Sequence, residues 1–397
     1  MESYAAFRSP DFRLFLAGSF FSNFGLQMLS VAVSWDLYQQ TKSAVVLGNV
    51  GFVQVAPFLL FALMAGHIAD RHDRRRIMVV TQAMAIAATA VLIGNARPVW
   101  LIYAVLFLTA GARSFQGPAR MAILPHVSPA GALGNAITWH SSAQEIASVS
   151  GPALAGLLIA SVGTKSVYFV QLVCAGLTLL CFLRLRVRVM EPAAVPVADR
   201  KDLLEGVRFV RANKLILAAI SLDLFAVLFG GAVALLPIFA VDILHSGARG
   251  LGWLRAAPSL GAVSMALFQS HRPKPKNAGR LLLFAVAGFG AATVVFGLSR
   301  WFWISFAMLL LTGVFDNVSV VLRQSLVQTR TPDYLKGRVL AVQNIFISCS
   351  NQLGAVESGW TAAWLGPVTS VVGGGVATIA IVAGFAAGAA ALRKWTQ

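Results

Sequence analysis

The chain alternates between long apolar runs and short polar gaps, and that pattern dominates every other signal in it. A run such as "VVLGNVGFVQVAPFLLFALMA" carries no charge and shows none of the two-residue alternation of a membrane barrel strand. A continuous apolar run satisfies its own backbone in lipid only as a helix. About 20 such residues cross a bilayer. With that ruler the sequence predicts twelve spans, near 12–36, 43–66, 76–96, 98–118, 135–162, 166–184, 215–240, 250–269, 280–299, 301–322, 338–364 and 368–391. The expected fold is an all-α integral membrane protein with twelve transmembrane helices.

Composition agrees. Of 397 residues, 57% are hydrophobic and only 12% charged, about half the charged share of a soluble domain. The net charge of +17 would point to nucleic acid if it formed a surface patch. Here the bases sit in the gaps between spans, so they are topology determinants and nucleic acid is not an expected partner. Arg71, Arg74, Arg75 and Arg76, then Arg184 to Lys214, Arg272 to Arg280 and Arg330 to Arg338 fall in alternate loops. They share a side with Arg8, Arg13, Arg393 and Lys394 at the termini. The positive-inside rule places these loops and both termini in the cytoplasm of a cell with the chain in its inner (cytoplasmic) membrane. The first apolar run is read as a span, since no small-residue cleavage site follows it. Cys174, Cys181 and Cys349 all lie in apolar segments without paired spacing, so neither a disulfide framework nor a zinc site is expected.

The sequence also repeats. Displaced by 203 positions, Arg120 falls on Arg323, Pro129 on Pro332, Gly134 on Gly337, Gly151 on Gly354, Gly156 on Gly359 and Gly163 on Gly366. "LTAGAR" falls on "LTGVFD". Spans four and five therefore match spans ten and eleven, which implies two six-helix repeats, the plan of many secondary transporters. The expected organisation is a first half over 1–185, a cytoplasmic linker over 186–213 and a second half over 214–397. The linker ends in "DLLEGVRFV", where Leu203, Leu204, Val207 and Val210 share one helical face. That face predicts a helix lying on the inner membrane surface.

The gap after span two, "GHIADRHDRRRIM", resembles the signature loop of the major facilitator superfamily. Gly66, Asp70, Arg71, Arg74 and Arg75 match its positions, and Asp73 departs where many members have glycine. The resemblance implies that Asp70 meets a helix of the other half in a charge cluster that closes the inner side; the plainer alternative is that these charges only set topology. Gly66 permits close helix approach. In the equivalent loop "SHRPKPKNAGR" the aspartate is lost, so the gate would be asymmetric. "SVSGPALAGLL", with Gly151, Pro152 and Gly156, resembles the helix motif of the superfamily's exporters. "GPARMAILPHV", "GWLRAAPSLGA" and the segment from "FDNVSVVLRQ" to "WTAAWLG" resemble the branch of enterobactin exporters and drug–proton antiporters.

Charges inside spans are costly and each needs a reason. Arg113, Glu145, Asp223, Asp316 and Glu357 are the candidates, and Asp36 and Asp242 are assigned to the hydrated outer ends. The repeat places Arg113 and Asp316 at equivalent positions, open to an ion pair across a central cavity; Arg113 with Glu145 is the alternative pair. A buried acid lacking a full partner can carry a proton at physiological pH, which proton-coupled antiport needs. The alternative for each acid is a static structural pair. The resemblance implies a cavity lined from spans one, four, seven and ten. Asn23, Gln27 and Asn317 are its substrate-binding candidates, with Phe20, Phe24, Trp35, Phe225, Phe229 and Phe315 as apolar wall. No Walker A sequence, metal-ligand spacing or catalytic serine with its base is visible, so neither an enzyme nor a cofactor is expected.

The sequence thus predicts a monomeric secondary transporter, a proton-coupled exporter of small amphipathic molecules of drug or siderophore type, working by alternating access. The alternatives are an importer or lipid transporter on the same scaffold, or a non-transporting membrane sensor.

Overall fold

The computed structural model describes residues 4–94, 97–186, 200–272, 275, 277–393 and 395, except the side chains of 62, 63, 66, 67, 69–71, 200–204, 333, 390 and 391. Among the described residues the chain forms helices and no strand: α1 (Pro10–Thr41), α2 (Ala44–Arg71), α3 (Arg74–Ala90), α4 (Val99–Val127), α5 (Leu133–Val162), α6 (Thr164–Arg184), α7 (Arg200–Ala212), α8 (Lys214–Gly230), α9 (Leu236–Ile238), α10 (Gly247–Ser270), α11 (Ala278–Leu298), α12 (Phe302–Arg330), α13 (Lys336–Leu365), α14 (Pro367–Gly388) and α15 (Ala390–Arg393). Twelve spans are long and apolar enough to cross a membrane. The seventh is broken: α8 stops at the Gly230-Gly231 pair, and a 3-10 turn (Ala232–Leu235), α9 and a π turn (Phe239–Ile243) carry it on. Glycine's low helix propensity and Pro237 account for that interruption.

Only 28–50% of the most apolar window of each span is buried within the protein, so the rest of that apolar surface requires hydrocarbon. Trp100 and Trp303, 68% and 75% exposed, stand in the first turns of α4 and α12, where an interfacial aromatic ring is expected. They are 203 residues apart, and the helices obey the same register. Val99–Val127 and Phe302–Arg330, then Leu133–Val162 and Lys336–Leu365, are displaced by 203 at both ends. Gly163 and Gly366 close the paired α5 and α13 at φ 95° and 87°, the left-handed conformation glycine adopts without a Cβ clash. The fourth and tenth spans run further than the apolar pattern alone predicts. Helix α4 continues through Pro118 and Pro125, and that extension carries Arg120 and Arg323 inside helices.

Contacts divide the chain into two units, Met1–Leu37 with Val53–Val197, and Tyr38–Phe52 with Ala198–Gln397. In the first, α3 packs on α4 and α6, and α5 on α6, around Phe12, Phe15, Met78, Ile123 and Phe182. In the second, α12 packs on α10 and α11, and α14 on α11, α8 and α13. Its core includes Ile216, Leu282, Leu322 and Val339. The amphipathic helix α7 docks there too: Val210 is buried in this core with Val207 packed against it, and Glu205 pairs with Arg338 of α13. Two residues of the predicted membrane-surface face are therefore spent on protein; Leu203 and Leu204 lie outside the described side chains, as does linker segment 187–199.

The second unit also holds the end of α1 and the start of α2. Tyr38 donates its hydroxyl to the Asp242 carboxylate. A Cβ built on Gly48 would stand 2.9 Å from the Cα of Gly359, and one on Gly51 would strike the Gln352 carbonyl. The Trp360 indole Nε1 donates to Asn49 Oδ1 at 3.1 Å. Helices α2 and α13 thus cross backbone to backbone at small residues, the contact dispersion favours in membranes.

Candidate functional site

In the second unit, α8 and α12 bring together two acids and one base deep in their spans. Arg323, 2% exposed, forms an ion pair with Asp223, 6% exposed, and its Nε donates to the Ser319 carbonyl at 3.3 Å. Asp316, two turns before Arg323 on the same face of α12, lies within Coulombic range of both partners. Two carboxylates therefore stand near one guanidinium, and among the described residues Asp223 alone is ion-paired to it. Asn317 accepts from Gln269 Nε2 of α10 at 3.2 Å. Glu357 stands apart on α13, half-buried, accepting from Thr361 Oγ1 at 2.9 Å and Ser358 Oγ at 3.4 Å.

The first unit answers this with a different charge pattern at equivalent positions. Arg113 and Gln116 of α4 line a cavity of about 120 Å³ with Arg120. The Arg120 Nη2 donates to Gln116 Oε1 at 2.8 Å and Ser22 Oγ at 3.0 Å. Gln116 donates in turn to Gln82 Oε1 at 3.2 Å. Arg113 does not pair with Glu145: neither forms an ion pair or hydrogen bond among the described residues, and Glu145 is exposed on α5.

Asn23 and Gln27 face α5. The Asn23 Nδ2 donates to the Gln144 carbonyl at 3.0 Å, and Gln27 Nε2 to Ser148 Oγ at 3.2 Å. Their amides tie α1 to α5, and Gly151 completes the contact: a Cβ there would come within 2.8 Å of Gln27 Cβ and 3.1 Å of the Phe24 carbonyl. Pro152 and Gly156 are buried beside it. Overpacking costs about 1–3 kcal/mol, so Gly151→Leu should lower the unfolding temperature measured in detergent. A variant as stable as the parent would show that the two helices can separate at no cost.

At the loop after α2, Asp73 caps α3, its Oδ1 accepting from the Arg75 amide at 2.9 Å. The residue that departs from the family signature thus has a local task, satisfying an orphan amide of the helix start. Arg75 donates to the carbonyls of Phe182 and Leu183 in the last turn of α6, and Arg74 to the Ala122 carbonyl of α4 at 3.2 Å. Both arginines pin helix ends whose carbonyls lack intrahelical donors or lie beside them. The side chains of Gly66, Asp70 and Arg71 lie outside the described residues.

Apolar patterning also misjudged one outer group. Asp36, expected in a hydrated position, is 6% exposed. It pairs with Arg97 at 3.0 Å and accepts from the Tyr168 hydroxyl at 2.9 Å.

Known proteins resemble this chain along most of its length. The enterobactin exporter of Shigella boydii is 27% identical over 377 residues, covering 94% of this chain and 90% of its own. Macrolide efflux protein A of Streptococcus pyogenes is 24% identical over 384 residues, 90% of each. The staphyloferrin A transporter of Staphylococcus aureus is 24% identical over 346 residues, 83% of this chain and 84% of its own. A crystallised variant of the peptide transporter POT superposes with a TM-score of 0.78 at 10% identity, covering 98% of this chain and 96% of the other. That likeness concerns the fold. The model of the transmembrane secretion effector family matches residues 1–397, and with the twelve spans and their 203-residue register it establishes that the chain belongs to that family, as a multi-pass transporter of the major facilitator superfamily.

Proposed function

We propose that the protein is a proton-coupled exporter of small amphipathic molecules that works by alternating access, as a monomer in the inner membrane with both termini cytoplasmic. Residues 1–185 and 214–397 are its rocking halves, and 186–213 their linker. The observation that supports the proposal is the buried Asp223–Arg323 pair with a second acid, Asp316, two turns before Arg323 on α12. With both acids ionised the trio bears one uncompensated negative charge inside a span, which is costly. A proton on Asp316 removes that charge and leaves the Asp223–Arg323 pair intact. Release of the proton restores it, so proton loading changes the energy of the second half in one discrete step. Efflux activity among the relatives supports the outward direction, and their printed cargoes, enterobactin, staphyloferrin A and a macrolide, form the panel to test. In this reading Gly66, Asp70 and Arg71 form the inner gate, Arg74 and Arg75 hold the helix ends around it, and Glu145 and Glu357 are secondary proton acceptors.

The test is transport by purified protein in vesicles under an imposed pH gradient. One member of the panel should accumulate against its own gradient while protons move the other way. Asp316→Asn should keep downhill exchange and lose the uphill component. Accumulation that ignores the pH gradient, or an unimpaired Asp316→Asn, would sink proton coupling at this site.

A further inference from the structure

The first unit's arginines lack what their counterparts possess. Displaced by 203, Arg113 corresponds to Asp316, Gln116 to Ser319 and Arg120 to Arg323. Arg323 has Asp223 as counter-ion. At the equivalent place Arg120 meets the neutral Ser22 and Gln116, and its Nε is buried with no hydrogen-bond partner. Arg113 replaces an acid with a second base and makes no hydrogen bond or ion pair among the described residues. Both guanidiniums line the same cavity, two turns apart on one face of α4. Among its described lining residues there is no aspartate or glutamate.

Two cations lining one cavity within a span, with no acid among its described lining residues, favour an anion there over a neutral or cationic group. The volume of about 120 Å³ holds several waters or one functional group of an organic ligand, well above the room a single water needs. Guanidinium forks match the planar geometry of a carboxylate and can bind it with two parallel hydrogen bonds. Phe21, Leu26 and Leu29 supply apolar wall beside the polar groups, which suits an organic acid better than a small hydrated ion. We propose that the Arg113–Arg120 cavity is an anion site that takes the carboxylate group of an organic cargo.

This assignment rests on the transport reading and narrows its cargo to acids or to amphipathic molecules that carry an acid group. The complementary site in the second unit handles the proton, so the two can fail separately.

The experiment uses the full-length protein in detergent and radiolabelled benzoate as probe. Benzoate should bind, unlabelled benzoate should compete, and the isosteric benzamide and the cationic benzylamine should not. Arg113→Gln, at an exposed position whose loss leaves no partner stranded, should weaken benzoate binding about tenfold or more, the effect expected for removing one charge-assisted contact. Arg113→Lys should fall between the two, keeping charge without the fork. Asp316→Asn should bind benzoate as the parent does while losing uphill transport. Equal competition by benzamide, an unaltered Arg113→Gln, or displacement of benzoate by millimolar chloride or phosphate as effective as by benzoate itself would each overturn the assignment. Loss of proton-driven transport with benzoate binding intact would instead remove proton coupling and leave the anion site standing.

Discussion

Arg323→Gln is expected to destabilise the protein by roughly 3–5 kcal/mol, the cost of leaving one partner of a buried pair without its counter-charge. Asp223 would then remain 6% exposed beside a neutral amide, with Asp316 adding a second negative charge nearby. The loss should appear as a lower unfolding temperature in detergent and as reduced yield of folded protein. Replacing both members, Arg323→Gln with Asp223→Asn, should recover most of that stability, because Asp223 is no longer a carboxylate stranded without its partner and Asp316 can meet the loss of the guanidinium by holding a proton. It should not recover proton-driven transport, because the guanidinium beside Asp316 is gone. The equivalent change in the first unit provides the comparison. Arg120→Gln loses hydrogen bonds to Ser22 and Gln116 but strands no acid, so its cost should be about 1–3 kcal/mol. Equal losses at the two positions would refute the view that the repeat has diverged into one paired and one unpaired cation.

That divergence was half legible in the sequence. The 203-residue register marked Arg120 and Arg323 as equivalent, and a ruler of about 20 residues located all twelve spans. The same ruler ended the fourth span at 118 and the tenth at 322, which left both arginines just outside the membrane helices and out of any account of intramembrane charge. Pro118 reads as a stop in a soluble helix, yet α4 runs through it to Val127, since membrane helices tolerate proline where neighbours satisfy the freed backbone. Extending the tenth span by one residue would have placed a cation opposite Asp223. The pairing of Asp36 with Arg97 and Tyr168 was out of reach for another reason. The three residues are far apart in sequence and carry no shared spacing, and only the packing of α1 against the start of α6 joins them. Asn23 and Gln27 were legible as polar groups in a span, but periodicity does not say whether an amide faces a cavity or a neighbouring helix. Both amides hydrogen-bond α5 beside Gly151, and Asn23 also lines the cavity of Arg113 and Arg120 while Gln27 does not.

Linking Asn49→Cys to Trp360→Cys with a short reducible bis-thiosulfonate, in a background lacking Cys174, Cys181 and Cys349, should stop transport nearly completely and reversibly. The two native side chains meet through a hydrogen bond of 3.1 Å, so a bridge filling the space of the indole and the amide joins the two positions. Around them, Gly48 faces Gly359 and Gly51 faces the Gln352 carbonyl with no room for a Cβ. Such a crossing gains its energy from close backbone dispersion and offers no soft side chain to yield. It is therefore either made or broken, the two-state behaviour that the proposed alternating access demands of a contact between the start of α2, in the proposed half 1–185, and α13, in 214–397. If the cycle opens this crossing, a covalent bridge across it holds one state, and addition of reductant releases it. Benzoate binding should survive the bridge, because the Arg113–Arg120 cavity lies wholly in the first unit. Transport that continues at the parent's rate with the bridge in place would show that α2 and α13 stay together throughout the cycle, and the moving contact would have to lie elsewhere.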